Sequence, residues 1–222
     1  MDFIFMLTRQ DETVEDCLEV FEEIRSVGLG HVGFKDLGTD RATLKALNRA
    51  IKDSGAISYM EVVATSPDAA LASARLAAEI GVDRLLGGTQ VRETLRLLKG
   101  RSLAYYPFPG RPDGHPTRLG GTPDLVERQC REFMDMGCAG VDLLAYRASE
   151  ADPLALVAAA RRGLDGRGDL ICAGSIASRK RVEALKEAGC DAFTIGSAAF
   201  DGTFSPRKGT LCGRLEDILA AC

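Results

Sequence analysis

Residues 170–200 decide the fold of this chain; they read LICAGSIASRKRVEALKEAGCDAFTIGSAAF. Two short apolar runs, 170–173 and 192–195, each end in a Gly-Ser pair. The segment between them carries apolar residues at helical spacing, and Gly189 ends it. This order of strand, turn, helix, strand and turn predicts two parallel strands joined by a helical crossover.

The two Gly-Ser pairs predict an anion site. Because neighbouring parallel strands end at the same edge of a sheet, Gly174-Ser175 and Gly196-Ser197 should lie close together. Glycine lets the backbone approach a ligand closely, and successive exposed N–H groups cradle an anion. A short helical turn over 197–200 would point its amino end at the same place. We therefore expect Gly174, Ser175, Gly196 and Ser197 to bind a phosphate group.

The same alternation of apolar runs and helical segments extends over the whole chain. Six further apolar runs are predicted as strands, over residues 2–7, 31–34, 57–63, 82–86, 103–106 and 140–145. Eight strand–helix units predict the α/β class and a single (β/α)₈ TIM barrel, with eight parallel strands in one domain over 1–222. The alternative is an open doubly wound sheet. No G-x-G-x-x-G motif follows the first strand, so the sequence does not predict a dinucleotide site.

Three helix starts carry cap or proline signals. Thr13 is followed three residues later by Asp16, which predicts a threonine-capped first helix. A second helix is predicted from Asp40 to Ser54, and Pro67 is expected at the first position of the third.

The composition excludes several classes of protein. The chain has 222 residues and a net charge of −4, so neither a nucleic-acid nor a membrane partner is predicted. We expect no signal peptide, because the apolar run near the start is too short. The seven cysteines form no C-x-x-C pair, which indicates reduced, mostly buried thiols and a cytoplasmic location.

Residues 170–200 resemble sequences of the ribulose-phosphate-binding barrels. This superfamily contains phosphorylated-sugar epimerases, decarboxylases, synthases and isomerases, and it includes enzymes of histidine, tryptophan and thiamin biosynthesis. Ala173-Gly174-Ser175-Ile176, residues 188–192 and Ile195-Gly196-Ser197-Ala198 are similar to its A-G-G-I, A-G-A-D and x-G-S-A signatures. Ser175 stands where the first signature has its second glycine. The resemblance implies the barrel fold and a phosphate held by the backbones of the two Gly-Ser pairs. Catalytic residues differ between branches of the superfamily, so it implies no single reaction.

Three residues are candidates for catalysis because active sites of such barrels lie at the carboxyl ends of the strands. They are Lys35, Glu61 and Asp142. We expect Lys35 to stabilise an enediolate, and Glu61, with Asp142 second, to move a proton. Alternatively, Lys35 and Glu61 form a salt bridge without a role in chemistry, and Asp142 serves packing. The D-x-K-x-x-D element of the orotidine-phosphate decarboxylase suprafamily is not matched, since Gly33 replaces its first aspartate.

Residues 107–122 form a long segment rich in proline and glycine, between the fifth strand and the fifth helix. Structureless loops of this length are uncommon and are often functional, which predicts a lid carrying Arg111, His115 and Arg118. The alternative is a solvated crossover or a subunit contact. Tyr106, just before this segment, is expected to orient a substrate hydroxyl. The basic run 179–181 is interpreted as a solvated helix face, with anion steering as its alternative.

These observations predict an enzyme of carbohydrate metabolism that acts on a small phosphorylated sugar or sugar acid through an enediolate. Isomerisation or epimerisation is expected, or an aldol or decarboxylative variant. The alternative is a barrel that binds a phosphorylated ligand without turnover, as a sensor or regulator. No cofactor is predicted; Asp36 and Glu61 are the residues that could hold Mg²⁺ with the substrate. Lys35 is the one lysine at a predicted strand end that could form a Schiff base. Association into a homo-oligomer is left open.

Overall fold

A computed structural model describes residues 1–62, 64 and 66–222 of the chain. Eight parallel strands form one sheet. They are β1 (Asp2–Met6), β2 (His31–Lys35), β3 (Ile57–Val62), β4 (Arg84–Gly87), β5 (Ala104–Tyr106), β6 (Gly140–Leu143), β7 (Asp169–Cys172) and β8 (Ala192–Ile195). All eight lie where the sequence predicts strands. Val63, the last residue predicted for the third strand, lies outside the described residues.

The sheet curls into a nearly closed barrel. The strands follow the order β6-β7-β8-β1-β2-β3-β4-β5, so each neighbour is also a neighbour along the chain and β8 pairs with β1. Two backbone hydrogen bonds of 3.0 Å join the remaining edges, from the Ala139 amide to the Tyr105 carbonyl and from the Asp142 amide to the Pro107 carbonyl. The predicted (β/α)₈ barrel is therefore confirmed, and the open doubly wound sheet is excluded.

Each barrel strand is followed by an α-helix. The helices are α1 (Cys17–Ile24), α2 (Arg41–Asp53), α3 (Pro67–Ile80), α4 (Val91–Leu98), α5 (Pro123–Met136), α6 (Pro153–Leu164), α7 (Arg179–Glu187), α8 (Ser197–Phe200) and α9 (Leu211–Leu219). The Asp40 side chain caps α2 by accepting hydrogen bonds from two backbone amides, and Pro67 begins α3 as predicted. Among the described residues, no helix combines the length and the apolar character that a membrane crossing requires.

The predicted first helix start is wrong. Thr13 belongs to a hairpin of Thr8–Arg9 with Glu12–Thr13, and α1 begins only at Cys17. The Thr13 hydroxyl, expected to cap the helix, instead donates to the Lys35 carbonyl and accepts from the Lys35 amide, each at 2.8 Å. A contact with β2 has thus replaced the local cap. The turn of this first hairpin holds Gln10 and Asp11 at φ of 51° and 66°, the left-handed backbone that tight hairpins need.

The segment 107–122 has structure of its own. A second hairpin pairs Arg111–Asp113 with Arg118–Gly120. It is tied to the loop after β6, because the Glu150 carboxylate accepts hydrogen bonds of 3.0 Å from Arg111 and from the Gly121 amide.

Two sets of apolar residues fill the molecule, one between sheet and helices and a smaller one inside the barrel. The barrel interior contains Ile4, Met6, Tyr59, Leu86, Tyr106, Ile171 and Ala192. Tyr106 extends toward the amino ends of the strands, where its hydroxyl donates to Asp169 at 3.0 Å. Along β6, Val141 and Leu143 join the outer set, so the alternation of a strand turns Asp142 into the barrel.

Candidate active site

A cavity of about 340 Å³ opens at the carboxyl ends of the strands. All four residues predicted to bind phosphate line it, together with Lys35 and Glu61. The geometry thus brings the two Gly-Ser turns and two of the three candidate catalytic residues around one space.

The Gly-Ser turns come close to the side chains of other loops. Gly174 has a φ of 79°, and a methyl group placed on it would lie 2.8 Å from three side-chain atoms of Arg147. A methyl group on Gly196 would lie 2.5 Å from Thr8 Oγ1. Both positions therefore need glycine for close approach. Ser175 also adopts a left-handed backbone, with a φ of 57°, which a residue with a Cβ adopts at some cost.

An ion-pair network forms one wall of the cavity. The Lys35 ammonium donates to Asp11 Oδ1 at 2.8 Å and lies 3.2 Å from Glu61 Oε1. Register explains the second contact, because Lys35 and Glu61 are paired residues of β2 and β3. The Arg147 guanidinium holds both oxygens of Asp11, at 2.7 and 2.8 Å. Asp11 thus joins the cations supplied by β2 and by the loop after β6.

This network fixes the charge of its members. Burial on its own would lower the pKa of Lys35, but the carboxylates of Glu61 and Asp11 outweigh it and raise that pKa above its ordinary value. Burial likewise would raise the pKa of Asp11, yet the hydrogen bond from Arg147 and the charge of Lys35 bring it well below its ordinary range. Lys35 is therefore a cation and Asp11 an anion at neutral pH.

Asp142 lies buried beside this network with an exposed fraction of 0%. Neither of its carboxyl oxygens has a hydrogen-bond partner among the described residues. Burial first, and the charge of Glu61 second, raise its pKa well above the ordinary value. A protonated acid at this position is a hydrogen-bond donor and a store for one proton.

The other candidate residues lie elsewhere. Tyr106 is not among the cavity-lining residues, and its hydroxyl is bonded at the opposite end of the barrel. Arg111, His115 and Arg118 border a separate groove on the second hairpin. The hairpin nevertheless contacts the network, because the Thr117 carbonyl accepts a hydrogen bond of 3.3 Å from Arg147.

The residues proposed for Mg²⁺ are not brought together as a site. Asp36 does not line the cavity and accepts a hydrogen bond from the Ser73 hydroxyl of α3, while Glu61 faces Lys35. Across the described ranges, no group of three or more His, Cys, Asp or Glu side chains is placed to hold a metal ion.

Comparison with solved structures identifies proteins that have a similar fold. Orotidine 5′-phosphate decarboxylase from Pyrococcus horikoshii OT3 superimposes with a TM-score of 0.69 at 12% identity, over 99% of this chain and 98% of that one. The aldolase QR15 gives 0.60 at 14% identity, over 89% and 90%. FabK from Thermotoga maritima gives 0.58 at 15% identity, over 88% of this chain and 58% of that one.

The barrel fold that the resemblance implied is confirmed by these neighbours. No family model matches the sequence, and no curated protein matches it significantly. At these identities the structural likeness carries the fold and not the reaction.

Sequence reasoning missed three charged residues of the cavity, Asp11, Arg147 and Asp201, and gave the role of a fourth, Arg181, only as an alternative. Arg147 follows β6 and would have been found by extending the strand-end rule through the short 3₁₀ turn Ala145–Arg147. Asp11 follows β1, but it lies in the turn of a hairpin that the hydrophobic periodicity of the sequence does not predict. Arg181 was interpreted as part of a solvated face at the start of a helix, with anion steering as the alternative.

Proposed function

We propose that this chain is an enzyme that binds a small phosphorylated sugar or sugar acid and moves a proton next to its carbonyl group. The observation that carries the proposal is that the two Gly-Ser turns and the Lys35–Glu61 pair line the same cavity. Such a site would hold the phosphate at one end and expose the carbon skeleton to a base and a cation at the other.

The roles follow from the charges of the network. Lys35, a cation, would stabilise the enediolate oxygen that forms when Glu61 removes a proton from the adjacent carbon. Returning that proton to the neighbouring carbon gives isomerisation, and returning it to the other face gives epimerisation. Asp142, in its protonated form, would hold a further proton beside Glu61. The raised pKa of Lys35 disfavours the neutral amine that a Schiff base requires.

The second hairpin would close the site. Arg111, His115 and Arg118 lie on it, and its Thr117 carbonyl already contacts Arg147 of the network. We propose that the hairpin tightens over a bound ligand and limits the access of water to the enediolate.

A thermal-shift screen tests the binding step. We expect one class among phosphorylated sugars, phosphorylated sugar acids and inorganic phosphate to stabilise the protein; a ligand at 100 times its Kd adds about 2.7 kcal/mol. Ser197→Glu, which puts a carboxylate into the cavity, should abolish the shift. Ser102→Glu makes the same change at an exposed site outside the cavity and should leave the shift intact. The absence of any shift would refute the phosphate site.

Solvent deuterium exchange tests the chemistry. The ligand that binds is incubated with the protein in D₂O, and mass spectrometry follows deuterium at the carbon next to the carbonyl. Lys35→Met and Glu61→Gln should abolish exchange while the thermal shift persists, whereas Lys45→Met, on the exposed face of α2, should exchange normally. Binding without exchange in the unmodified protein would favour the sensor over the enzyme.

A further inference from the structure

The charges around the cavity are unevenly distributed. Three cations line it, Lys35, Arg147 and Arg181, and so do three carboxylates, Asp11, Glu61 and Asp201. We call the cluster of Asp11, Lys35, Glu61 and Arg147 the reaction end. We call the two Gly-Ser turns with Arg181 the phosphate end.

The reaction end has no unpaired cation that could bind an anionic group of a ligand. Its two cations are both committed, at 2.7 to 3.2 Å, to its two carboxylates. Lys35, Asp11 and Glu61 have side chains no more than 8% exposed, so water screens these pairs little. Asp142 adds nothing positive, and it would add a negative charge if it lost its proton.

The phosphate end differs in one respect. Arg181 has no carboxylate within 4.0 Å among the residues that the structure describes. Its guanidinium donates to the Ser175 carbonyl of the first Gly-Ser turn and lies 4.7 Å from the centre of the Tyr146 ring. These contacts hold a half-buried cation without an ion-pair partner directly beside the turn. Asp201, the third carboxylate of the cavity, accepts a hydrogen bond of 2.8 Å from the Thr203 amide and is not within 4.0 Å of Arg181.

We propose that the cavity selects phosphate monoesters whose other end is uncharged, such as an aldehyde, a ketone or an alcohol, over those that end in a carboxylate, and that Arg181 is the charged side chain that binds the phosphate. The proposal rests on the proposed function and narrows its substrate class from sugars and sugar acids to sugars.

The physical reason is the cost of an unpaired charge. A ligand carboxylate at the reaction end would meet Asp11 and Glu61, and it could gain a cation only by breaking a buried pair. A carbonyl or hydroxyl oxygen meets no such repulsion. It can accept an N–H of Lys35 that Asp11 does not take up.

Isothermal titration calorimetry at pH 7.5 and fixed salt tests the selection with two matched pairs of ligands. One pair is dihydroxyacetone phosphate and 3-phosphoglycerate; the other is ribose 5-phosphate and 5-phosphoribonate. Inorganic phosphate is titrated as well. We expect the uncharged-ended member of at least one pair to bind at least about tenfold more tightly, a difference of about 1.4 kcal/mol.

The outcomes separate this inference from the function on which it rests. Equal or reversed affinities within the pairs would overturn the selection and leave the phosphate site standing. If inorganic phosphate bound and none of the four organic ligands did, the selection would likewise be overturned and the phosphate site would stand. If no phosphate compound bound at all, the proposed function would fail and the selection with it.

Two variants test the assignment of the ends. Arg181→Gln should weaken both members of a pair by the same factor, about tenfold or more, and Arg179→Gln, whose side chain pairs with Asp217 outside the cavity, should change neither. Glu61→Gln frees Lys35 from one carboxylate. It should therefore improve binding of the carboxylate-ended ligand and reduce the ratio of the two affinities within each pair. An unchanged ratio in Glu61→Gln would refute the electrostatic origin of the selection.

Discussion

Replacing Asp11 by asparagine should strongly destabilise the protein at neutral pH. The Asp11 carboxylate accepts one hydrogen bond from Lys35 and two from Arg147, all between 2.7 and 2.8 Å. Asparagine keeps the shape but removes the negative charge, and its NH₂ group would point at a cation. The substitution therefore leaves two cations facing each other across a neutral side chain.

The magnitude follows from the burial of the partners. Breaking a buried ion pair by removing one member costs about 3–5 kcal/mol. Lys35 is 6% exposed but keeps Glu61 at 3.2 Å, and Arg147 is 21% exposed, so water can solvate part of it. Both features reduce the cost, and we expect a loss of about 3 kcal/mol in the free energy of unfolding.

The pH dependence gives an independent check. Because the folded pKa of Asp11 lies below its unfolded value, its stabilising effect is complete above the unfolded pKa and is lost as the pH falls toward the folded one. The difference in unfolding free energy between the natural protein and Asp11→Asn should therefore be constant near pH 7 and shrink below about pH 4.

Urea unfolding followed by circular dichroism measures these differences. The control is Asp53→Asn, which breaks an exposed pair with Arg49 at 3.6 Å and should cost less than about 1 kcal/mol. A loss at Asp11 no larger than that of the control would show that the network does not stabilise the fold, and the assignment of Lys35 as a charge held by Asp11 would be wrong.

Three further predictions use the same unfolding assay. Ser175→Gly should stabilise the protein by about 1 kcal/mol, because glycine relieves the left-handed backbone, and the phosphate-induced thermal shift should remain. Thr13→Val should cost about 1–3 kcal/mol, since the amide and carbonyl of Lys35 lose their partner in a buried position. Asp142→Asn removes an acid whose folded pKa is raised; the natural protein loses stability as the pH rises above the unfolded pKa, so the difference in unfolding free energy should shift in favour of the variant as the pH rises above about 4.

The barrel, the two Gly-Ser turns and the position of Lys35 could be predicted from the sequence because each depends on residues that are close together along the chain. A strand that buries an apolar run and ends in Gly-Ser can be recognised from a few consecutive residues, and so can the position of Lys35 at the end of β2. The start of α2 was equally local, since Asp40 caps the amides two and three residues ahead.

The features that sequence reasoning missed depend on contacts distant along the chain. Thr13 fits a local helix cap, yet two hydrogen bonds to Lys35, which is 22 residues away, determine its role. The distance between Asp11 and Arg147 is 136 residues along the chain. Tyr106 ends its strand as predicted, but a side chain can lean along the strand in either direction, and the Asp169 carboxylate draws it to the amino end.

The two ends of the barrel interior differ in how well the hydrogen-bonding capacity of their polar groups is satisfied. At the amino end, Tyr106 donates to Asp169 at 3.0 Å, and the Tyr59 hydroxyl shares a hydrogen bond of 2.8 Å with His31. At the carboxyl end, Asp142 has two carboxyl oxygens without a partner among the described residues.

A buried polar group left unpaired costs about 1–3 kcal/mol, so Asp142 is unfavourable for stability alone. An apolar residue in its place would pack the same position without that cost. Asp142 does not itself line the cavity, but it is buried beside Glu61, which does and whose charge raises the pKa of Asp142. This cost is the reason why we propose Asp142, rather than the better-bonded tyrosines, as a partner of Lys35 and Glu61 in the chemistry.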